Sequence, residues 1–220
     1  MIGVLDIIWQ NAGNWLPNLL SGLRLSVTVT LASLGFGLPL GFLLSLAVMS
    51  KARLPRLIGL AVVEVGRGAP SLVLLLLAYF GLPNTGLTLT AFGASVLALS
   101  WTTGAYTSEI IRAGLQSVPE GQREAAMAIG MDRLDVMRFV VVPQGLRIAI
   151  PALLGFAILI FQTTSLCFAI ALPELTSRAY AIGSNTFQYM PALVLAGMLY
   201  LVICIPATMI VHWVEARSVK

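Results

Sequence analysis

Pro191-Ala-Leu-Val-Leu-Ala-Gly-Met-Leu-Tyr-Leu-Val-Ile-Cys-Ile-Pro-Ala-Thr-Met-Ile-Val-His-Trp-Val214 contains no Asp, Glu, Lys or Arg along its whole length. At about 1.5 Å of rise per residue, a helical run of this kind matches the roughly 30 Å of hydrocarbon in a bilayer. A helix is also the open-ended element that satisfies its own backbone there. Working outward from this stretch, four more apolar runs stand at about 146–172, 87–115, 57–81 and 25–49. The sequence therefore predicts an all-α integral membrane protein, a single transmembrane domain over 1–220 with five transmembrane helices.

Composition agrees. Of 220 residues, 58% are hydrophobic and 10% are charged, whereas a soluble domain carries roughly 25% charged residues. The missing charge means that much of the surface meets lipid. The net charge of +4 does not point to a nucleic-acid partner, because the basic residues sit in short clusters between the apolar runs. Lys51, Arg53 and Arg56 follow the first run, and Arg123, Arg133 and Arg138 lie between the third and fourth, with Arg112 and Arg147 at the facing edges of those two runs. Arg217 and Lys220 follow the last run. The alternate loops are nearly bare: 82–90 has no charge, and 173–190 has only Glu174 and Arg178. Basic loops face the cytoplasm, so the expected orientation is N-terminus outside and C-terminus inside. Cys167 and Cys204 lie in apolar runs, where they read as small hydrophobes. His212 reads as an interfacial ring, and no metal cluster is expected.

Residues 1–23 lack the basic start and unbroken apolar core of a cleavable signal. Leu5, Ile8, Trp9, Ala12, Leu16, Leu19 and Leu23 recur at helical spacing, opposite Asp6, Gln10, Asn14 and Asn18. That pattern predicts an interfacial amphipathic helix on the outer membrane face, with Trp9 and Trp15 at headgroup level. Gly13 and Pro17 are expected to weaken it or break it in two.

The longest cytoplasmic segment reads Gln116-Ser-Val-Pro-Glu-Gly-Gln-Arg-Glu-Ala-Ala-Met-Ala-Ile-Gly130 and continues Met-Asp-Arg-Leu-Asp-Val-Met-Arg-Phe-Val-Val-Val-Pro-Gln144. A short helix from Glu120 to Ile129, ended by Gly130, is expected, with Asp132 as N-cap of a second helix. Ala125 and Ala126 put little bulk on one side of the first helix, so another surface is able to approach it closely. Composition alone would make this an ordinary solvated loop.

A resemblance to a known family argues otherwise. Glu124-Ala125-Ala126, then Gly130, then Val140-x-Val142-Pro143 resembles the Glu-Ala-Ala signature loop of ABC importer permeases, with Val in place of Ile and Leu. Arg67-Gly-Ala-Pro70, Gly104-Ala-Tyr106 with Glu109, Arg112-Ala-Gly114, Gly121-Gln122 and Thr164-Ser165-Leu166 are similar to the polar amino-acid branch, the histidine, glutamate, glutamine, arginine and opine group. The resemblance implies that the loop is a coupling helix, with Glu124, Ala125, Ala126 and Gly130 contacting an ABC ATPase dimer. It also implies a second permease subunit, identical or homologous, and a periplasmic or lipid-anchored solute-binding protein. The expected location is the bacterial inner membrane, in contact with membrane lipid. No nucleotide-binding loop of the Gly-x-x-x-x-Gly-Lys-[Ser/Thr] kind occurs. The chain is therefore expected to be no enzyme and to hold no cofactor, ATP being used by the partner.

Polar groups inside the runs are the candidates for substrate contact. Arg67 precedes Gly68 and Pro70, which should kink the helix. Its guanidinium then either grips a solute carboxylate or pairs with Glu64 one turn earlier. Glu109 and Arg112 read as a self-neutralising pair. Gln162, Thr163, Thr164 and Ser165 either bond back along their own helix or offer neutral hydrogen bonds to substrate. Related permeases often carry Lys-Asp where this sequence has Gln162-Thr163, which favours neutral or acidic amino acids over Lys or Arg. Gly37 and Gly41, flanking Pro39, form a small-residue packing face. The competing readings are a self-sufficient small channel or ion-coupled carrier, and a membrane scaffold. Neither accounts for the spaced loop.

Overall fold

The computed structural model describes residues 2–218, and every regular element among them is helical. The first is α1, Ile2–Met49, 48 residues without interruption and about 72 Å long at helical rise. This corrects the separate surface helix expected over 1–23. Pro17 lies within the helix rather than at a break. The carbonyl its ring crowds belongs to residue i−4, which is Gly13, and a Cβ at Gly13 would meet nothing within 4 Å. The helix runs through both positions without interruption. The buried face also differs in phase from the expected stripe: Ile8, Trp15 and Leu19 are buried while Leu5 and Trp9 are exposed. Trp15 is thus a packing residue and not a headgroup anchor.

α2, Arg53–Gly68, stops at the expected place. Pro70 takes φ −58° and ψ 133°, and α3, Ser71–Leu76, restarts behind it. The predicted kink is a full break, since Pro70 offers no backbone donor and biases the residue before it away from helix. α3 continues through a π-helical turn, Leu77–Gly81, and a 3-10 turn, Leu82–Thr85, to Gly86 at φ 87°. α4, Ala91–Gln116, comes next, with the Thr90 hydroxyl accepting from the Gly93 amide at 3.0 Å.

α5, Glu120–Ala128, matches the expected loop helix, and Gly130 ends it at φ 90°. Asp132 caps the next turn of helix, accepting from the Leu134 and Asp135 amides at 2.8 Å each. That single turn, α6 (Arg133–Asp135), leads through a π-helical segment into α7, Val142–Thr163, so the fourth run begins well before the expected residue 146. After a 3-10 stretch, Thr164–Ile170, come α8, Leu175–Thr186, and α9, Tyr189–Ser218. Among the described residues, three helical stretches are long and apolar enough to cross a membrane, four if α2 and α3 form one broken span. α4 is as long as a span, but Ser95, Ser100, Thr102, Thr103, Thr107 and Ser108 lie buried along it.

Contacts divide the chain into two units. One comprises Met1–Gly35, Ala69–Ser100 and Ala157–Thr208. Its core packs Ile8, Trp15 and Leu19 of α1 against Leu175, Ala179 and Ile182 of α8 and Ala192, Leu195 and Ala196 of α9. The other comprises Phe36–Gly68, Trp101–Phe156 and Met209–Lys220. There Ile111 and Leu115 of α4 pack with Val118, Ala126, Val136 and Val141. Helices in lipid gain little from apolar burial as such, so close backbone approach matters more. A Cβ on Gly41 would stand 3.0 Å from the Gly104 carbonyl and 3.1 Å from the Ser108 amide, besides colliding with the Thr107 hydroxyl. The small-residue face read from Gly41 is therefore the α1–α4 contact of this unit.

Candidate functional site

α5 is seated on its own unit by two side chains. Ala126 is 6% exposed and packs among Ile111, Leu115, Val118, Val136 and Val141. Arg123 donates from Nη2 to the Leu115 carbonyl at 2.9 Å, and its Nε stands 3.8 Å from Glu120. Glu124, Ala125, Met127, Ala128, Ile129 and Gly130 are exposed. Of the two alanines read as a face for another surface, only Ala125 is open, because Ala126 is turned into the core. Helical phase decides this: Ala126 follows Arg123 by three positions, on the same side of the helix.

At the end of α2, Arg67 reaches Glu109 on α4 at 3.9 Å rather than Glu64, which is exposed. The Arg67–Glu64 alternative is thus replaced by a contact between helices. Glu109 is held more tightly by Arg112, which meets both carboxylate oxygens. The expected Glu109–Arg112 pair is present, and Arg112 also donates to Gln116 at 3.3 Å. Tyr106 donates from its hydroxyl to the Arg67 carbonyl at 3.3 Å, its ring centre 5.8 Å from the guanidinium carbon. Phe156 stacks on the Tyr106 ring with centroids 5.5 Å apart. Sequence reading missed Tyr106 and Phe156 as neighbours of Arg67, because only the fold brings three helices together.

In the other unit, the 162–165 cluster is locally bonded. Thr163 donates to the Leu159 carbonyl, Thr164 to Phe161 and Ser165 to Gln162, at 2.7, 2.6 and 2.8 Å. Thr164 is fully buried, while Gln162 is exposed and reaches the Cys204 sulfur at 3.6 Å.

Glu174 is the polar residue least marked by its sequence context. It is 0% exposed and caps α8, accepting from the Thr176 and Ser177 amides at 2.8 and 2.7 Å. The Tyr200 hydroxyl donates to it at 3.1 Å and the Ser26 hydroxyl at 3.5 Å. Burial pushes its carboxyl above the ordinary carboxylate range, against the pull of those hydrogen bonds. A capping Glu after Pro173 was the available signal, but Ser, Thr, Asp and Asn are the residues that usually mark a helix start.

A helical chain with long apolar spans, a short exposed helix between two of them and partly buried ion pairs belongs among multi-span membrane proteins. Residues 37–220 match the family described as binding-protein-dependent transport system inner membrane component. Among relatives, the arginine transport system permease protein ArtQ of Bacillus subtilis is 35% identical, over 92% of this chain and 93% of that protein. The glutamate/aspartate import permease protein GltK of Escherichia coli O6:H1 is 31% identical, over 96% and 97%. A crystal structure described as an amino acid ABC transporter with histidines superposes with a TM-score of 0.89 at 33% identity, covering 94% of this chain and 97% of that one. The chain belongs to this family of ABC transporter permease subunits.

Proposed function

We propose that this chain is a permease subunit that moves amino acids or closely similar polar solutes inward across the bacterial inner membrane. The observation that carries the reading is α5: a short helix, anchored from beneath by Arg123 and Ala126, that offers Glu124, Ala125 and Gly130 to an outside surface. A separate ATPase dimer docks there, α5 serves as the coupling helix, and the chain supplies no ATPase site of its own. A binding protein delivers the solute, and a second permease subunit completes the path.

The topology is five spans, counting α1, the α2–α3 pair, α4, α7 and α9, with the N-terminus outside and the C-terminus in the cytoplasm. It rests on the segregation of Lys and Arg. Cysteines placed at Asn84 and Ser117, in a background lacking Cys167 and Cys204, label from opposite faces; labelling from one face defeats it.

Arg67 is assigned to the solute's carboxylate, because its one ion-pair contact among the described residues is long and already shared. Gln162, Thr163 and Ser165 are neutral groups for polar contacts along the path, the exposed Gln162 amide being the most open, whereas Thr164, fully buried, supports them from within the helix. The preferred solutes are neutral or acidic amino acids. Uptake of glutamate, glutamine and arginine by the reconstituted complex tests this: preference for arginine, or full uptake by Arg67→Ala, defeats it.

A further inference from the structure

Tyr106, Glu109 and Arg112 follow one another at three-residue steps along α4, and Arg67 meets them from the end of α2. The three charged side chains are partly exposed, at 38% for Arg67, 26% for Glu109 and 32% for Arg112. Two guanidiniums thus share one carboxylate, and the division is unequal. Arg112 engages both oxygens of Glu109, whereas Arg67 touches one at 3.9 Å. Glu64, one turn before Arg67, stands outside the triad: it is exposed and, among the described residues, no ion pair within 4.0 Å joins it to Arg67. The triad therefore holds one surplus positive charge, on the arginine that Tyr106 fixes from the backbone side.

We infer that Glu109 determines charge selectivity: by neutralising Arg112 it leaves a single surplus cation at Arg67, which suits one carboxylate. The inference rests on the assignment of Arg67 to the solute's carboxylate. Glu109 is then the counter-charge that keeps the site from demanding a second anion. A free Glu109 would welcome a side-chain ammonium, but here both its oxygens are occupied. Removing the carboxylate makes the triad doubly positive and favours a solute with two carboxylates. Removing Arg112 leaves a balanced Arg67–Glu109 pair and relaxes the bias against cationic side chains. One unit of charge several ångströms away, at the effective dielectric of a partly buried site, changes relative affinity on the order of tenfold.

The test is solute binding to the purified permease–ATPase complex in detergent, without binding protein, using radiolabelled glutamate, glutamine and arginine. From Arg112→Gln through the unsubstituted chain to Glu109→Gln, the glutamate-to-arginine affinity ratio should rise at each step, by on the order of tenfold. Glu109→Asp, which keeps the charge, should restore the native ratio. A ratio that stays constant while all affinities fall together would show a purely structural role and overturn the inference. Should Glu109→Gln fail to assemble, Arg112→Gln alone decides, since an unchanged ratio there is equally fatal. Unaltered binding in Arg67→Ala overturns the carboxylate assignment itself, as does the absence of saturable binding of all three solutes to the native complex.

Discussion

Arg123 of α5 donates to the carbonyl of Leu115, the penultimate residue of α4, at 2.9 Å. The last carbonyls of a helix have no partner within it, and a cation there also meets the negative end of the helix dipole. One guanidinium therefore ties the exposed loop helix to a long helix of its own unit. Ala126, one turn further on, completes the attachment by sinking into the core.

Arg123→Leu should loosen that tie while leaving the spans inserted. The lost hydrogen bond to a charged group is worth roughly 1.5–3 kcal/mol. Amide hydrogen exchange over 120–128 should accelerate severalfold, with exchange in α7 unchanged. Unaltered exchange in α5 would mean that Ala126 and its neighbours hold the helix by themselves.

Glu174 should make the unit it caps sensitive to pH. Its folded carboxyl titrates above the ordinary range because of burial. As pH rises from that range through the raised value, the unfolded chain releases its proton first, so this group's contribution to stability falls. Glu174→Gln should flatten that part of the melting-temperature profile in detergent. Glu174→Ala should also lower it throughout, a lost cap costing about 1 kcal/mol. A parallel profile for native and Gln proteins would contradict the assignment.

Gly41→Leu should be poorly tolerated. Even a Cβ would crowd the Gly104 carbonyl and the Ser108 amide, and overpacking costs typically 1–3 kcal/mol. The expected outcome is a melting temperature several degrees lower, against little change for Gly35→Leu, where a Cβ meets nothing within 4 Å. Equal melting of the two variants would contradict the tight α1–α4 contact.

Much of this is legible in the sequence because lipid imposes simple demands. Apolar length marks three of the expected spans, four if α2 and α3 are one, Pro70 marks the break after α2, and Gly130 with Asp132 marks the ends of the loop helices. The features that are not legible depend on phase and on distant partners. The stripe at 1–23 indicates a helix but not its buried face, because that face is chosen by α8 and α9. α8 itself reads as loop, since its cap is a glutamate and its residues are mixed in polarity. Spacing makes Ala125 and Ala126 look equivalent, whereas the turn of the helix buries one and exposes the other. Proximity in sequence pairs Arg67 with Glu64, but Glu109 arrives from another helix.

The distinction between the two alanines gives the most direct test. Ala126→Trp would unseat α5 from its own core, so a defect there is ambiguous. Ala125 is exposed, and Ala125→Trp alters the outward face alone. The decisive measurement is binding-protein-stimulated ATP hydrolysis by the complex in reconstituted vesicles, with ATPase retention read on the same preparation. Docking through α5 predicts that Ala125→Trp leaves insertion and melting temperature as in the native chain but abolishes both retention and stimulation. A complex that keeps its ATPase and its full stimulation with tryptophan at that position would contradict it.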